Sequence, residues 1–84
     1  MTGLTQLRKL CLAGNAISCI ENLDALRELR ALDLRWNQIS KIANLGCLNK
    51  LRRLDLGHNR IQTIKGLDEY KMLQVLNLEG NQIK

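Results

Sequence analysis

One histidine, His58, and three cysteines, Cys11, Cys19 and Cys47, are the side chains of this sequence best suited to nucleophilic or metal chemistry. A nucleophile needs a neighbouring base and a third group that orients the base. A structural zinc ion needs four Cys or His ligands, usually in closely spaced pairs. The cysteines stand apart without any CxxC spacing, and no glycine-rich phosphate loop occurs. No metal, cofactor or small molecule is expected, and the chain is not expected to be an enzyme. A second set of residues suits recognition instead. Asp33, Arg35 and Trp36 cluster in one stretch, and Arg53, Asp55, His58, Arg60 and Glu79 follow. The chain has one Trp, one Tyr and no Phe, so its apolar core is aliphatic and does not require the indole. What this mixed set can do depends on the elements that hold it.

Those elements repeat. Asn15, Asn37, Asn59 and Asn81 recur every 22 residues, and aligning the chain on them gives the pattern LxxLxLxxNxIxxIxxLxxLxx. All 18 leucines and all 7 isoleucines fall on its apolar positions, and Tyr70 alone replaces an expected leucine. The units run 7–28, 29–50 and 51–72, with a partial unit 73–84 and an N-terminal piece 4–6, so the whole chain 1–84 reads as one repeat domain. Ile20, Leu23, Leu26, Leu29 and Leu32 lie three apart, and on an α-helix that stripe would wind around the axis. The LxL triplets Leu10–Leu12, Leu32–Leu34, Leu54–Leu56 and Leu76–Leu78 alternate as half-buried strands do, and Gly or Asn follows them as turns require.

A single unit cannot bury its own apolar face, so stacked units must share one core. The recurrent Asn stands where the chain leaves each strand, and its amide can satisfy backbone groups stranded by the bend. The IxxIxxL half suits short 3₁₀ turns, whose side chains eclipse every third residue. These features together resemble the leucine-rich repeat family. The 22-residue unit with Ile after the Asn resembles the cytoplasmic subclass typified by the leucine-rich regulatory subunit of protein phosphatase 1. The resemblance implies an α/β-type repeat solenoid, with a short parallel β-sheet on the concave side and 3₁₀ turns on the convex side. It implies a protein-binding role in regulatory or scaffolding settings, among them phosphatase regulation, axonemal dynein, the cytoskeleton, the cilium and the centrosome.

With the ladder removed, the variable positions form lanes across successive units. Strand side chains alternate, so one concave lane is Lys9, Ala31, Arg53, Val75, the next is Cys11, Asp33, Asp55, Asn77, and the third is Ala13, Arg35, Gly57, Glu79. The turn before each Asn carries Gly14, Trp36, His58 and Gly80, and the position after it carries Ala16, Gln38, Arg60 and Gln82. Trp36 is thereby assigned to a rim. Such an aromatic can cover the neighbouring turn, or it can anchor a partner, since Trp is enriched at binding hot spots. The expected partner-binding set is Asp33, Arg35, Trp36, Arg53, Asp55, His58, Arg60 and Glu79. Similar phosphatase regulators use acidic and aromatic groove residues, a character that Asp33, Trp36, Asp55 and Glu79 share.

The net charge of +5 favours acidic partners, and Arg8, Lys9, Arg30, Arg52 and Arg53 gather at the strand entrances. Nucleic acid is nevertheless disfavoured, because acidic residues lie within the concave lanes and stacking aromatics beyond Trp36 are missing. A ribonucleoprotein component and a purely structural repeat segment are the alternatives to a protein-binding module. No apolar run is long enough to span a membrane. The odd, unclustered cysteines fit a reducing, cytoplasmic setting, or another intracellular one such as the nucleus. Neither end carries the polar cap usual in repeat arrays, so a fragment of a longer protein is expected, or self-association through uncapped ends.

Overall fold

A computed structural model describes residues 6–21, 23, 25–43, 45, 48–64 and 72–83. Four three-residue strands, β1 (Lys9–Cys11), β2 (Ala31–Asp33), β3 (Arg53–Asp55) and β4 (Val75–Asn77), form one parallel sheet in chain order. The repeat sets the register, because Lys9 pairs with Ala31, Ala31 with Arg53 and Arg53 with Val75. Every strand step is one unit of the sequence, so each lane read from the alignment is a physical row across the sheet.

The middle residue of each strand and the leucine after the strand point inward. Leu32, Leu34, Leu54 and Leu56 are fully buried, joined by Leu26, Leu29, Leu48 and Leu51 from the loops between strands and by Ile39 and Ile61. Burying such an aliphatic side chain stabilises by about 1.5–3 kcal/mol. Burial is deepest in the two middle units, whereas Val75, Leu76 and Ile83 in the fourth, and Met72 just before it, are exposed.

The turn wall differs in detail from the expected one. Bonds of the 3₁₀ type run from the Leu26 N–H to the Leu23 carbonyl (3.0 Å) and from Leu29 to Leu26 (3.1 Å), and recur at Leu45–Leu48–Leu51. They lie beyond the isoleucines, on the leucine half of the three-residue ladder. The reason is that the backbone of the first isoleucine in each unit bonds between units. The N–H of Ile17 donates to the Asn37 side chain at 3.1 Å and that of Ile39 to Asn59 at 3.0 Å, while the carbonyls of Ile17 and Ile39 accept from Gln38 and Arg60. Tyr70 and Cys47 lie outside the described residues. Among the described residues no helix is long and apolar enough to cross a membrane.

Candidate functional site

The asparagine row behaves as its position implies. Asn59 is 6% exposed; its amide nitrogen donates to the carbonyls of Leu34 (2.9 Å), Leu56 (3.0 Å) and Gly57 (3.2 Å), and its oxygen accepts the Ile39 N–H (3.0 Å). Asn37 repeats this set one unit earlier. Asn15, in the first unit, is exposed and donates to Leu12 and Ala13. These amides tie unit to unit and are scaffold.

The Asp33 row also carries structure, which the sequence reading did not anticipate. Asp33, Asp55 and Asn77 each accept the backbone N–H two residues on, from Arg35 (3.1 Å), Gly57 (3.4 Å) and Glu79 (3.0 Å). These are Asx turns, which fix the chain as it leaves the strand. The signal lay in the alignment, where three short Asx side chains occupy one position. The Arg35 guanidinium closes on Asp33 with both ends, Nε to Oδ1 at 3.0 Å and Nη2 to Oδ2 at 2.8 Å, and reaches Asp55 Oδ2 at 3.4 Å. The hydrogen bonds from Arg35 hold the Asp33 carboxyl below its ordinary value, and Asp33 in turn raises the Arg35 pKa. Asp55 is buried and also accepts the Asn77 amide at 3.0 Å. Beside this network a groove of about 380 Å³ opens on the sheet, with Lys9 and Arg53 at either side of the small Ala31 and Cys11 next to Asp33. The Cys11 thiol donates to Asp33 Oδ2 at 3.7 Å.

The rim row contains the least expected geometry. Gly14, Trp36, His58 and Gly80 all have positive φ, at 75°, 58°, 57° and 75°. The same hydrogen bond recurs along the row, from the Gly14 N–H to the Arg35 carbonyl (3.0 Å), from Trp36 to Gly57 (3.0 Å) and from His58 to Glu79 (2.6 Å). This left-handed turn is what stops each strand. Glycine adopts it freely, whereas an L-residue with a side chain is held there at a cost of about 1–2 kcal/mol. The two glycines of the row were the sequence signal for it. Trp36 and His58 accept the cost and stack on each other, their rings parallel to within 6° and their centroids 3.9 Å apart. The indole nevertheless remains 61% exposed.

The expected partner-binding residues therefore fall in four places. Asp33, Arg35 and Asp55 form one ion network at the sheet exit. Trp36 and His58 form the stack on the rim, with Arg60 exposed just beyond Asn59. Arg53 borders the groove, and Glu79 is exposed at the turn after β4. The His58 ring lies against Trp36 and over Gly80, while the Cys11 thiol faces Asp33. Among the described residues no group of three His, Cys, Asp or Glu side chains could hold a metal ion.

The comparisons with known proteins agree with this architecture. The profile of the family described as Leucine Rich repeats (2 copies) matches residues 5–46 and again residues 27–69. No curated protein matches the chain. Among solved structures the chain is similar to an internalin, InlF of Listeria monocytogenes strain 4b F2365, with 34% identity and a TM-score of 0.89 over 96% of this chain and 24% of that one. The functional domain of InlJ from Listeria monocytogenes, which includes a cysteine ladder, shares the fold at 19% identity and a TM-score of 0.70, over 95% of this chain and 22% of that one. The chain thus spans about a quarter of the length of the internalins it matches. With its repeat, its in-register sheet and its asparagine row matched by that profile across 5–69, the chain belongs to the leucine-rich repeat family.

Proposed function

We propose that this chain is a protein-interaction module that takes a partner on the concave face of its sheet and on the rim at Trp36. Leucine-rich repeats commonly mediate protein–protein contact, and the internalin-like architecture suits that use. The observation that carries the reading is the 61% exposed indole, held in a left-handed backbone conformation that glycine would occupy more easily. The fold gains little by keeping Trp there, and a large rigid side chain anchors a partner at small entropic cost. Asp33, Arg35, Arg53, His58, Arg60 and Glu79 surround it as polar and charged contacts, and Asp55 acts from below by orienting Arg35. The module binds and does not itself catalyse a reaction. The free thiols of Cys11 and Cys19 support a reducing, cytoplasmic setting. The acidic and aromatic character of Asp33, Trp36 and Glu79 supports a regulatory use like that of the phosphatase subclass.

Affinity capture from lysate with the wild type and with Trp36→Gly tests this. The wild type should retain a set of proteins that the variant loses. Equal retention by both would refute the anchor. A ribonucleoprotein role has one observation in its favour, the stacked row Arg8, Arg30, Arg52, tied by backbone bonds of 2.7 and 2.8 Å. It requires RNA binding that weakens steeply with salt, log K against log [salt] having a slope set by the number of phosphates contacted.

A further inference from the structure

We propose that the uncovered face of Trp36 is one wall of a stacking slot that receives an aromatic side chain of the protein partner. The proposal rests on the rim reading above and specifies its chemistry. His58 covers one face of the indole in a parallel stack. The opposite face therefore looks along the solenoid towards the first unit, where the same row position is Gly14. The bond from the Gly14 N–H to the Arg35 carbonyl (3.0 Å) repeats the bond made by Trp36 one unit on, so Gly14 stands one unit from Trp36 just as His58 does on the other side.

The two glycines of the row have opposite surroundings. A Cβ on Gly80 would run into the His58 ring, with Cε1 at 2.8 Å, whereas a Cβ on Gly14 would meet nothing within 4 Å. The stack is thus closed at Gly80 and open at Gly14. Adjacent parallel strands are about 4.8 Å apart, close to the separation of stacked rings, so one more planar group in this row completes a three-layer stack.

Three planar groups could enter, and the surroundings choose among them. A guanidinium meets like charge, since Arg35 and Arg60 lie on the flanking rows and the nearby Asp33 is held by Arg35. A nucleobase needs fixed polar groups along its edge. Here the neighbouring side chains are the methyls of Ala13 and Ala16, and the Asn15 amide already donates to the Leu12 and Ala13 carbonyls. An uncharged aromatic side chain meets neither difficulty.

The test is an NMR titration of the whole chain with N-acetyl-tyrosinamide, N-acetyl-argininamide and uridine monophosphate in turn. The tyrosine probe should move the Gly14 amide and the Trp36 indole N–H together, by at least threefold more than either other probe at equal concentration. Gly14→His, which places at 14 the residue that position 58 already accommodates in this backbone conformation, should fill the slot and abolish those shifts. The wild-type titration decides the matter even if that variant folds poorly. Larger shifts with the nucleotide or with argininamide, or no shift at Gly14 with the tyrosine probe, would overturn the proposal. Partner capture then separates it from the reading beneath it. Loss of the partner by Trp36→Gly with retention by Gly14→His would overturn the slot and leave the rim anchor standing. Retention by both would overturn both.

Discussion

Replacing Asn59 with alanine isolates what the asparagine row contributes, and the hydrogen-bond pattern sets the expected size. The Leu34 carbonyl keeps a second donor in Asn37, and the Leu56 carbonyl keeps one in Asn81. Losing one of two bonds at each costs about 0.5–1.5 kcal/mol per bond. The Ile39 N–H fares worse. Its partner is the Asn59 oxygen at 3.0 Å, its residue is fully buried, and an orphaned buried donor costs about 1–3 kcal/mol. The sum is about 2–6 kcal/mol before any void is counted. At about 0.05–0.15 kcal/mol per residue, an 84-residue chain has about 4–13 kcal/mol in total. At the middle of both ranges Asn59→Ala should therefore remove about half of the stability. Asn15→Ala is the matched control, since that side chain is exposed and donates to the Leu12 and Ala13 carbonyls. It should cost about 1 kcal/mol or less. Urea unfolding followed by circular dichroism measures both. Equal losses at 15 and 59 would refute the argument that this row stabilises by satisfying backbone between units.

Trp36→Gly should leave stability within about 1 kcal/mol, since losing a stack of about 0.5–1.5 kcal/mol is offset by release of about 1–2 kcal/mol of backbone strain. Trp36→Ala loses the stack without the release, so its melting temperature should be the lower of the two, and the reverse order would contradict the strain. Gly80→Ala should displace the His58 ring and alter Trp36 fluorescence, whereas Gly14→Ala, with open space around its Cβ, should not; equal effects would place the stack wrongly. The Asp33 pKa is lowered in the folded state, so its contribution is complete above the unfolded value of about 3.8 and is lost as pH falls below it. Asp33→Asn should flatten the acid limb of stability against pH below about 3.8, and an unchanged limb would remove Arg35 as the cause.

Much of this was legible in the sequence because the repeat converts linear spacing into position. The strand register, the buried leucines and the Asn row follow from a 22-residue offset, with no long-range contact to guess. The exposure of Trp36 followed from the same alignment. What was missed concerns backbone conformation and contacts across one unit. Gly14 and Gly80 marked a left-handed position, but Trp36 and His58 between them concealed that both residues would adopt it. Their stacking depends on ring orientation, which spacing does not carry. Asp33 and Asp55 stand out in the sequence as charged residues on the concave face, and spacing does not show their second role. Their short side chains also accept the backbone N–H two residues on, and Arg35 pairs with both carboxylates. The 3₁₀ turns fall on the leucine half because the N–H and carbonyl groups of Ile17, Ile39 and Ile61 bond to the next unit.

The central claim is that the repeated positions hold the fold and that Trp36 holds the partner. Because the chain has a single tryptophan, incorporation of 5-fluorotryptophan gives one fluorine resonance from this protein. Adding the captured partner should shift or broaden that resonance in proportion to the fraction bound. A resonance unchanged in position and width while the partner is shown to be bound would contradict the account.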